Sequence, residues 1–86
     1  MTDLPSPATC LRDVVVVHEQ SGTVWRPGRA RIRGGRIVVS ATGAPGGFFD
    51  HSTATFRIEA IDGANRVRRF PDLVLVARHA KEYVFD

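Results

Sequence analysis

The clearest pattern in this chain is an alternation of apolar and polar residues on both sides of a Gly-Gly pair. The pattern runs from Arg29 to Ser40, with Gly34-Gly35 at its centre. Alternation with a period of two is typical of a half-buried strand, and a two-residue glycine turn joins two such strands into a β-hairpin. The turn sets four predicted cross-strand pairs: Arg33 with Arg36, Ile32 with Ile37, Arg31 with Val38, and Ala30 with Val39.

One face of this predicted hairpin is apolar and the other is basic. The basic face carries Arg29, Arg31, Arg33 and Arg36. Like charges directly opposite each other on a sheet are unfavourable. We therefore expect an acidic neighbour, solvent or an anionic partner to offset them.

Two further strands are indicated before the hairpin. The run from Val14 to Val17 consists of β-branched residues, which favours a strand over Leu11 to His18 that is buried on both faces. A second strand begins at Thr23-Val24-Trp25. Arg26-Pro27-Gly28 is expected to interrupt it, because proline cannot donate a hydrogen bond to a central ladder.

The second half of the chain predicts a second hairpin and two more strands. Thr53 to Ile61 alternates, and Asp62 to Asn65 has the composition of a turn. Arg66 to Phe70 then returns antiparallel until Pro71-Asp72 ends the strand. In this hairpin we expect Ala60 to face Val67 and Glu59 to face Arg68, with a bulge near Arg68–Arg69.

Two strands are predicted after the hairpin. Leu73 to Ala77 forms a central strand, and Tyr83 to Phe85 forms a short closing strand.

These elements predict an all-β protein. We expect a small single-domain β-barrel or compact β-sandwich of about six or seven antiparallel strands. The β domain spans residues 11–86 and contains a Gly/Phe loop at 43–52. Residues 1–10 form an extended N-terminal arm, because their two prolines favour extended backbone.

The charge of the chain comes almost entirely from arginine. The formal net charge is +3, and 11 of the 12 basic residues are arginine, with Lys81 as the exception. Two explanations stay open. The guanidinium group suits phosphate and carboxylate recognition, whereas a GC-rich genome would also favour arginine, alanine, glycine and valine codons.

No arrangement of residues in the sequence indicates catalysis. The one cysteine, Cys10, excludes an internal disulfide, and the three histidines lack zinc-ligand spacing, so we interpret them as polar surface residues. A Gly-x-Ser-x-Gly elbow and a phosphate-binding Gly-Lys-Ser/Thr motif are both absent. We therefore predict no enzyme, no catalytic or metal residue, no cofactor and no small-molecule substrate.

The sequence also indicates where the protein is expected to act. The first ten residues lack the basic and apolar regions of a signal peptide. The longest purely apolar run, Val14 to Val17, is too short to span a bilayer. We expect a protein that is neither secreted through a signal peptide nor transmembrane, located in a virion or in the cytoplasm.

The stretch Arg29 to Val38 resembles the small β-sandwich hairpin that opens many amidohydrolases. It covers ten of the 86 residues, and the His-x-His of the amidohydrolase metal site is absent. The resemblance implies a hairpin of this kind and no enzymatic activity.

The leading hypothesis for function is a non-enzymatic assembly protein that docks on other protein subunits, as a homo-oligomer or repeatedly on a larger particle. The specific instance is a tailed-phage virion component, such as a capsid-decoration protein or a head–tail or tail connector protein. In this hypothesis the arm from Leu4 to Leu11 lies on a neighbouring subunit. The expected partner-binding residues are Leu4, Phe48, Phe49, Arg29, Arg31, Arg33 and Arg36, with one of the two phenylalanines also a candidate for capping the core.

Two alternatives remain open. In the first, a small barrel binds nucleic acid through phosphate contacts from the hairpin arginines together with Arg66, Arg68 and Arg69. In the second, the protein is an accessory domain or inhibitor that adds a strand to the sheet edge of a partner.

Overall fold

The computed structural model describes residues 9–44, 54–79 and 81–86, and these form one antiparallel β-sheet. The sheet contains seven strands, which confirms the all-β prediction. Their bounds are β1 Thr9–His18, β2 Val24–Arg33, β3 Arg36–Ser40, β4 Phe56–Ile61, β5 Val67–Leu73, β6 Leu75–Arg78 and β7 Glu82–Phe85.

The order of the strands shows that the sheet curls. The order is β5-β4-β1-β2-β3-β7-β6, so β5 and β6 lie at opposite edges although only Val74 separates them along the chain. Val74 also exchanges two backbone hydrogen bonds with Asp86, at 3.1 and 3.0 Å. Because the two edges meet at Val74, the sheet forms a curled half-barrel.

The first hairpin has the predicted register. Arg33 pairs with Arg36 and Ala30 with Val39, with the two intervening pairs also as expected. Gly34 and Gly35 form the turn with φ values of +58° and +77°. Two consecutive positive φ values define the type I′ turn, which matches the twist of the strands that it joins.

A β-bulge at Asp13 divides β1. Asp13 has a φ of +51°, and the register with β2 shifts between Arg12 and Val14. Alternation carried back from Val14 without this bulge would turn Arg12 toward the core. With the bulge, Leu11 is buried and Arg12 is exposed.

The core lies on the concave face of the curled sheet. Phe56 and Phe85 are fully buried and meet edge to face with their ring centroids 5.2 Å apart. Strands β4 and β7, each next to an opposite edge of the sheet, therefore contribute to one core. Its other fully buried large side chains are Ile58, Val14, Val16 and Val39.

Several predicted details of β1 and β2 differ from the structure. Val14 and Val16 are buried, but Val15 and Val17 are only half-buried, so the strand is covered on one face rather than two. β2 is continuous through Arg26-Pro27-Gly28, because a register irregularity between Val14 and Val16 of β1 accommodates the proline.

The second hairpin is shifted by one residue from the predicted register. Ala60 pairs with Arg68 and Glu59 with Arg69, and the irregularity lies between Phe70 and Leu73 rather than near Arg68–Arg69. Asp72, with a φ of +57°, absorbs the extra residue, so Pro71-Asp72 bends the strand and does not end it.

The predicted central strand over Leu73 to Ala77 is wrong. This run is divided between β5 and β6, the two edge strands, and Val74 and Val76 are 43% and 42% exposed. The predicted closing strand is confirmed, because β7 pairs with both β3 and β6.

The boundary of the N-terminal arm also changes. β1 begins at Thr9, so Thr9 and Cys10 belong to the sheet, and Leu11 is a core residue rather than part of an arm on a neighbour. Gly43 lies in a turn after β3. Leu4, Phe48, Phe49 and most of the Gly/Phe loop at 43–52 lie outside the described residues.

Candidate functional site

The convex face of the sheet, which we call the outer face, carries all four arginines predicted to contact a protein partner. The cross-strand registers define its members. They are Cys10, Arg12, Val15 and Val17 of β1; Val24, Arg29, Arg31 and Arg33 of β2; Arg36, Val38 and Ser40 of β3; Arg57, Glu59 and Ile61 of β4; Val67 and Arg69 of β5; and Glu82 and Val84 of β7.

Aliphatic side chains are interspersed among these charges. Val15, Val17, Ile61, Val38 and Val84 lie on the outer face and are half-buried. An antiparallel sheet with one face on the core usually presents a polar face to water. A mixture of aliphatic groups and arginine is instead typical of surfaces that contact other proteins.

Carboxylates of the same chain offset several of these arginines. Arg31 contacts Glu82 at 2.7 Å, and Arg36 contacts Asp86 at 3.6 Å. Arg57 contacts Glu59 at 3.0 Å, and Glu59 is also 3.9 Å from Arg69. Each pair is partly exposed to solvent and contributes only about 0–1 kcal/mol to stability, but together these pairs break up the basic character of the face.

Arg29 and Arg33 differ from their neighbours. Both are exposed on β2, and neither forms an ion pair within the described parts of the chain. Four residues along a strand span about 13 Å. Among the described residues, these two arginines therefore leave positive charge along β2 that no carboxylate offsets.

A groove of about 510 Å³ opens on the outer face beside Arg29, and we call it the arginine groove. Arg12 and Arg29 lie directly opposite each other across β1 and β2, and Arg31 lies opposite Cys10. The groove is lined by Cys10, Leu11, Arg12, Arg29, Ala30, Arg31, Val38, Ser40, Ile61, Asp62, Gly63 and Glu82.

Asp62 closes one end of the groove and organises the turn between β4 and β5. Its Oδ1 accepts hydrogen bonds from the backbone N–H of Arg66 at 3.0 Å and of Ala64 at 2.9 Å. Its Oδ2 lies 3.5 Å from the Arg68 guanidinium. The pKa of Asp62 is lowered, chiefly because the backbone N–H of Arg66 donates a hydrogen bond to the carboxylate. Burial acts in the opposite direction, and the Ala64 N–H and the Arg68 guanidinium lower the pKa further.

The same turn also contacts Arg12, which lines the groove. Asn65, with a φ of +61°, accepts a hydrogen bond from the Arg12 guanidinium through its Oδ1. The Asp62–Asn65 turn therefore positions Arg12 beside Arg29, and Asp62 itself is already satisfied by its own turn.

We expect the Asp62→Asn substitution to lower the free energy of unfolding at neutral pH. We also expect that free energy to fall less steeply with acidification than in the wild-type protein. The native pKa of Asp62 lies below the ordinary value of 3.8, so its contribution is present above that value and is lost as the pH falls through the lower native pKa. Urea unfolding of both proteins at neutral pH and at about pH 2 measures this difference. If the free energies of unfolding of the wild-type protein and Asp62→Asn differed by the same amount at both pH values, the prediction would be contradicted.

The second predicted arginine group does not lie on one face. Arg69 is opposite Glu59 on the outer face, whereas Arg68 is opposite the buried Ala60 and contacts the Phe70 ring 5.4 Å from its centroid. Arg66 precedes β5 and is exposed. The structure therefore does not join Arg66, Arg68 and Arg69 with the hairpin arginines into one continuous stripe.

The environment of His18 corrects the interpretation of the histidines as surface residues. His18 is only 6% exposed, and its Nδ1 lies 2.7 Å from the Ser21 hydroxyl. His18 also contacts Phe56 edge to face, with ring centroids 5.3 Å apart. Among residues 9–44, 54–79 and 81–86, no three His, Cys, Asp or Glu side chains come close enough together to hold a metal ion.

Comparisons with models of known protein families, with curated proteins and with solved structures gave no match. Within the described residues, no helix has the length and apolar character needed to cross a membrane.

Proposed function

We propose that this protein is a non-enzymatic assembly protein that docks on other protein subunits through the outer face of its sheet. The observation that supports this proposal is the chemistry of that face, where half-buried valines alternate with arginines. Protein interfaces combine a partly apolar centre with arginine anchors.

The pattern of ion pairs favours a protein partner over nucleic acid. Phosphate binding needs a run of uncompensated basic side chains, but Arg31, Arg36 and Arg57 each contact a carboxylate of this chain. Stacking on bases would also need exposed aromatic rings on the same face. Trp25, the aromatic residue of β2, is instead buried on the core side, 5% exposed.

The particular assembly that we propose is repetitive docking on a larger particle, with a tailed-phage virion component as the specific instance. The support is indirect: an 86-residue β domain has limited core to stabilise it alone, and an interface on its convex face would add to that core. Nucleic-acid binding remains the second candidate function, supported by the net charge of +3.

The first test is size-exclusion chromatography with light scattering on nuclease-treated protein, at low and high salt and with or without DNA. We expect the elution and molar mass to be unaffected by DNA at both salt concentrations. A shift onto DNA that disappears at high salt would replace the proposal with the nucleic-acid alternative.

The second test is co-expression of the chain with the products of neighbouring genes. We expect one protein to form a complex of fixed stoichiometry, and Val17→Thr with Val38→Thr to weaken that complex at least about tenfold, since each threonine places a hydroxyl on the docking face. The control is Val74→Thr with Val76→Thr, two changes at valines that are 43% and 42% exposed and are not among the outer-face residues defined above. Equal effects of the two changes would contradict docking through the outer face.

A further inference from the structure

We propose that the arginine groove binds a carboxylate side chain from an extended acidic segment of the partner protein, held by Arg29 and Arg12. This inference rests on the proposed docking function and names the chemistry that the partner presents. It begins from an unfavourable arrangement, since Arg12 and Arg29 are like charges placed directly opposite each other.

A β-bulge in β1 places Arg12 beside Arg29. The bulge at Asp13, with a φ of +51°, turns Arg12 from the core side to the outer face, next to Arg29. Bulges frequently occur where a side chain must be aimed at a binding site. The Asn65 amide oxygen then accepts a hydrogen bond from Arg12 without neutralising its charge.

The charges around the groove leave Arg29 available. Glu82 is engaged with Arg31 at 2.7 Å, and Asp62 accepts hydrogen bonds within its own turn. Asp13 is 3.9 Å from Arg12 with 72% of its side chain exposed, which is a weak interaction. Among the described residues no carboxylate pairs with Arg29, so the groove presents an uncompensated positive charge.

The walls of the groove favour a peptide over a nucleic acid. Val38 and Ile61 supply aliphatic surface, Ser40 supplies a hydroxyl group, and no aromatic ring lines the groove in the described part of the chain. A volume of about 510 Å³ is that of an ordinary ligand site. An extended segment that alternates acidic and aliphatic residues fits these walls, because alternate side chains of a strand point to the same side.

The test uses fluorescence anisotropy with a labelled, end-blocked peptide of alternating glutamate and valine. The control peptide has glutamine in place of glutamate. We expect binding of the glutamate peptide to weaken as salt rises and to weaken about tenfold in Arg29→Gln, since a charge-assisted guanidinium–carboxylate pair is lost. Arg26→Gln removes the same charge from the same strand outside the groove lining and should stay within about twofold.

Cys10 gives a local readout of the same event. It is exposed and lines the groove. We expect the glutamate peptide to slow alkylation of the Cys10 thiol in the wild-type protein and not in Arg29→Gln. The thermal unfolding of each variant confirms that its fold is intact.

Three results would overturn the groove proposal: equal binding of the two peptides, equal loss in Arg26→Gln and Arg29→Gln, or tighter binding of a labelled oligothymidine that depends on Arg29. These failures are separable from failure of the proposed function. If Val17→Thr with Val38→Thr disrupts the co-expressed complex while Arg29→Gln leaves it intact, docking through the outer face stands and the groove is not its acidic site.

Discussion

Phe56→Ala is expected to lower the free energy of unfolding by about 3–5 kcal/mol, the usual cost of removing a buried phenylalanine side chain. Phe56 is 1% exposed and contacts both Phe85 and His18 edge to face. It therefore connects β4 with β1 and β7. Since small domains are stable by only about 5–15 kcal/mol in total, this one substitution should remove a large share of the stability.

Urea unfolding followed by circular dichroism measures the effect of Phe56→Ala. The control is Val24→Ala, because Val24 is 47% exposed at the start of β2 and its truncation should change stability by less than about 0.5 kcal/mol. If Phe56→Ala cost no more than Val24→Ala, the assignment of Phe56 to the centre of the core would be wrong.

The first hairpin could be predicted from sequence because all its signals agree. Alternation fixes which side chains face the core, and Gly34-Gly35 fixes the register, since both residues adopt the positive φ values that a two-residue turn needs. The second hairpin had no such fixed point. Its longer turn allowed two registers, and the Asp62 side chain selects one by accepting the N–H groups of Ala64 and Arg66.

Apolar runs were less informative than alternation. Val14 to Val17 indicated a strand buried on both faces and Leu73 to Ala77 a central strand, but a half-barrel of this size covers only its concave face. The first run is in a central strand, and its alternate valines are half-buried on the outer face. The second is divided between the two edges, and the chain passes directly from one edge to the other at Val74.

The arginine groove could not be predicted because a backbone irregularity creates it. Regular alternation from Val14 would place Arg12 inside, and only the bulge at Asp13 brings it beside Arg29. Aspartate tolerates positive φ better than most residues, but its type alone does not indicate a bulge. The same local feature buries Leu11, which shortens the predicted arm.

The exchange of both turn glycines, Gly34→Ala with Gly35→Ala, is expected to cost about 2–4 kcal/mol, since each alanine loses about 1–2 kcal/mol in the left-handed region. Apart from the adjoining residues of the chain, no atom of the described residues lies within 4 Å of either added methyl group, so the cost comes from the local backbone. Gly63→Ala is the control, because Gly63 is equally open and its φ is not in that region; it should be nearly neutral. Thermal unfolding measures stability, and the alkylation rate of Cys10, opposite Arg31, reports on the register. A strand that slipped by one residue would turn Arg31 toward the core and so change the surroundings of Cys10. If the double alanine variant lost no more stability than Gly63→Ala, the role of this turn in holding the groove would be contradicted.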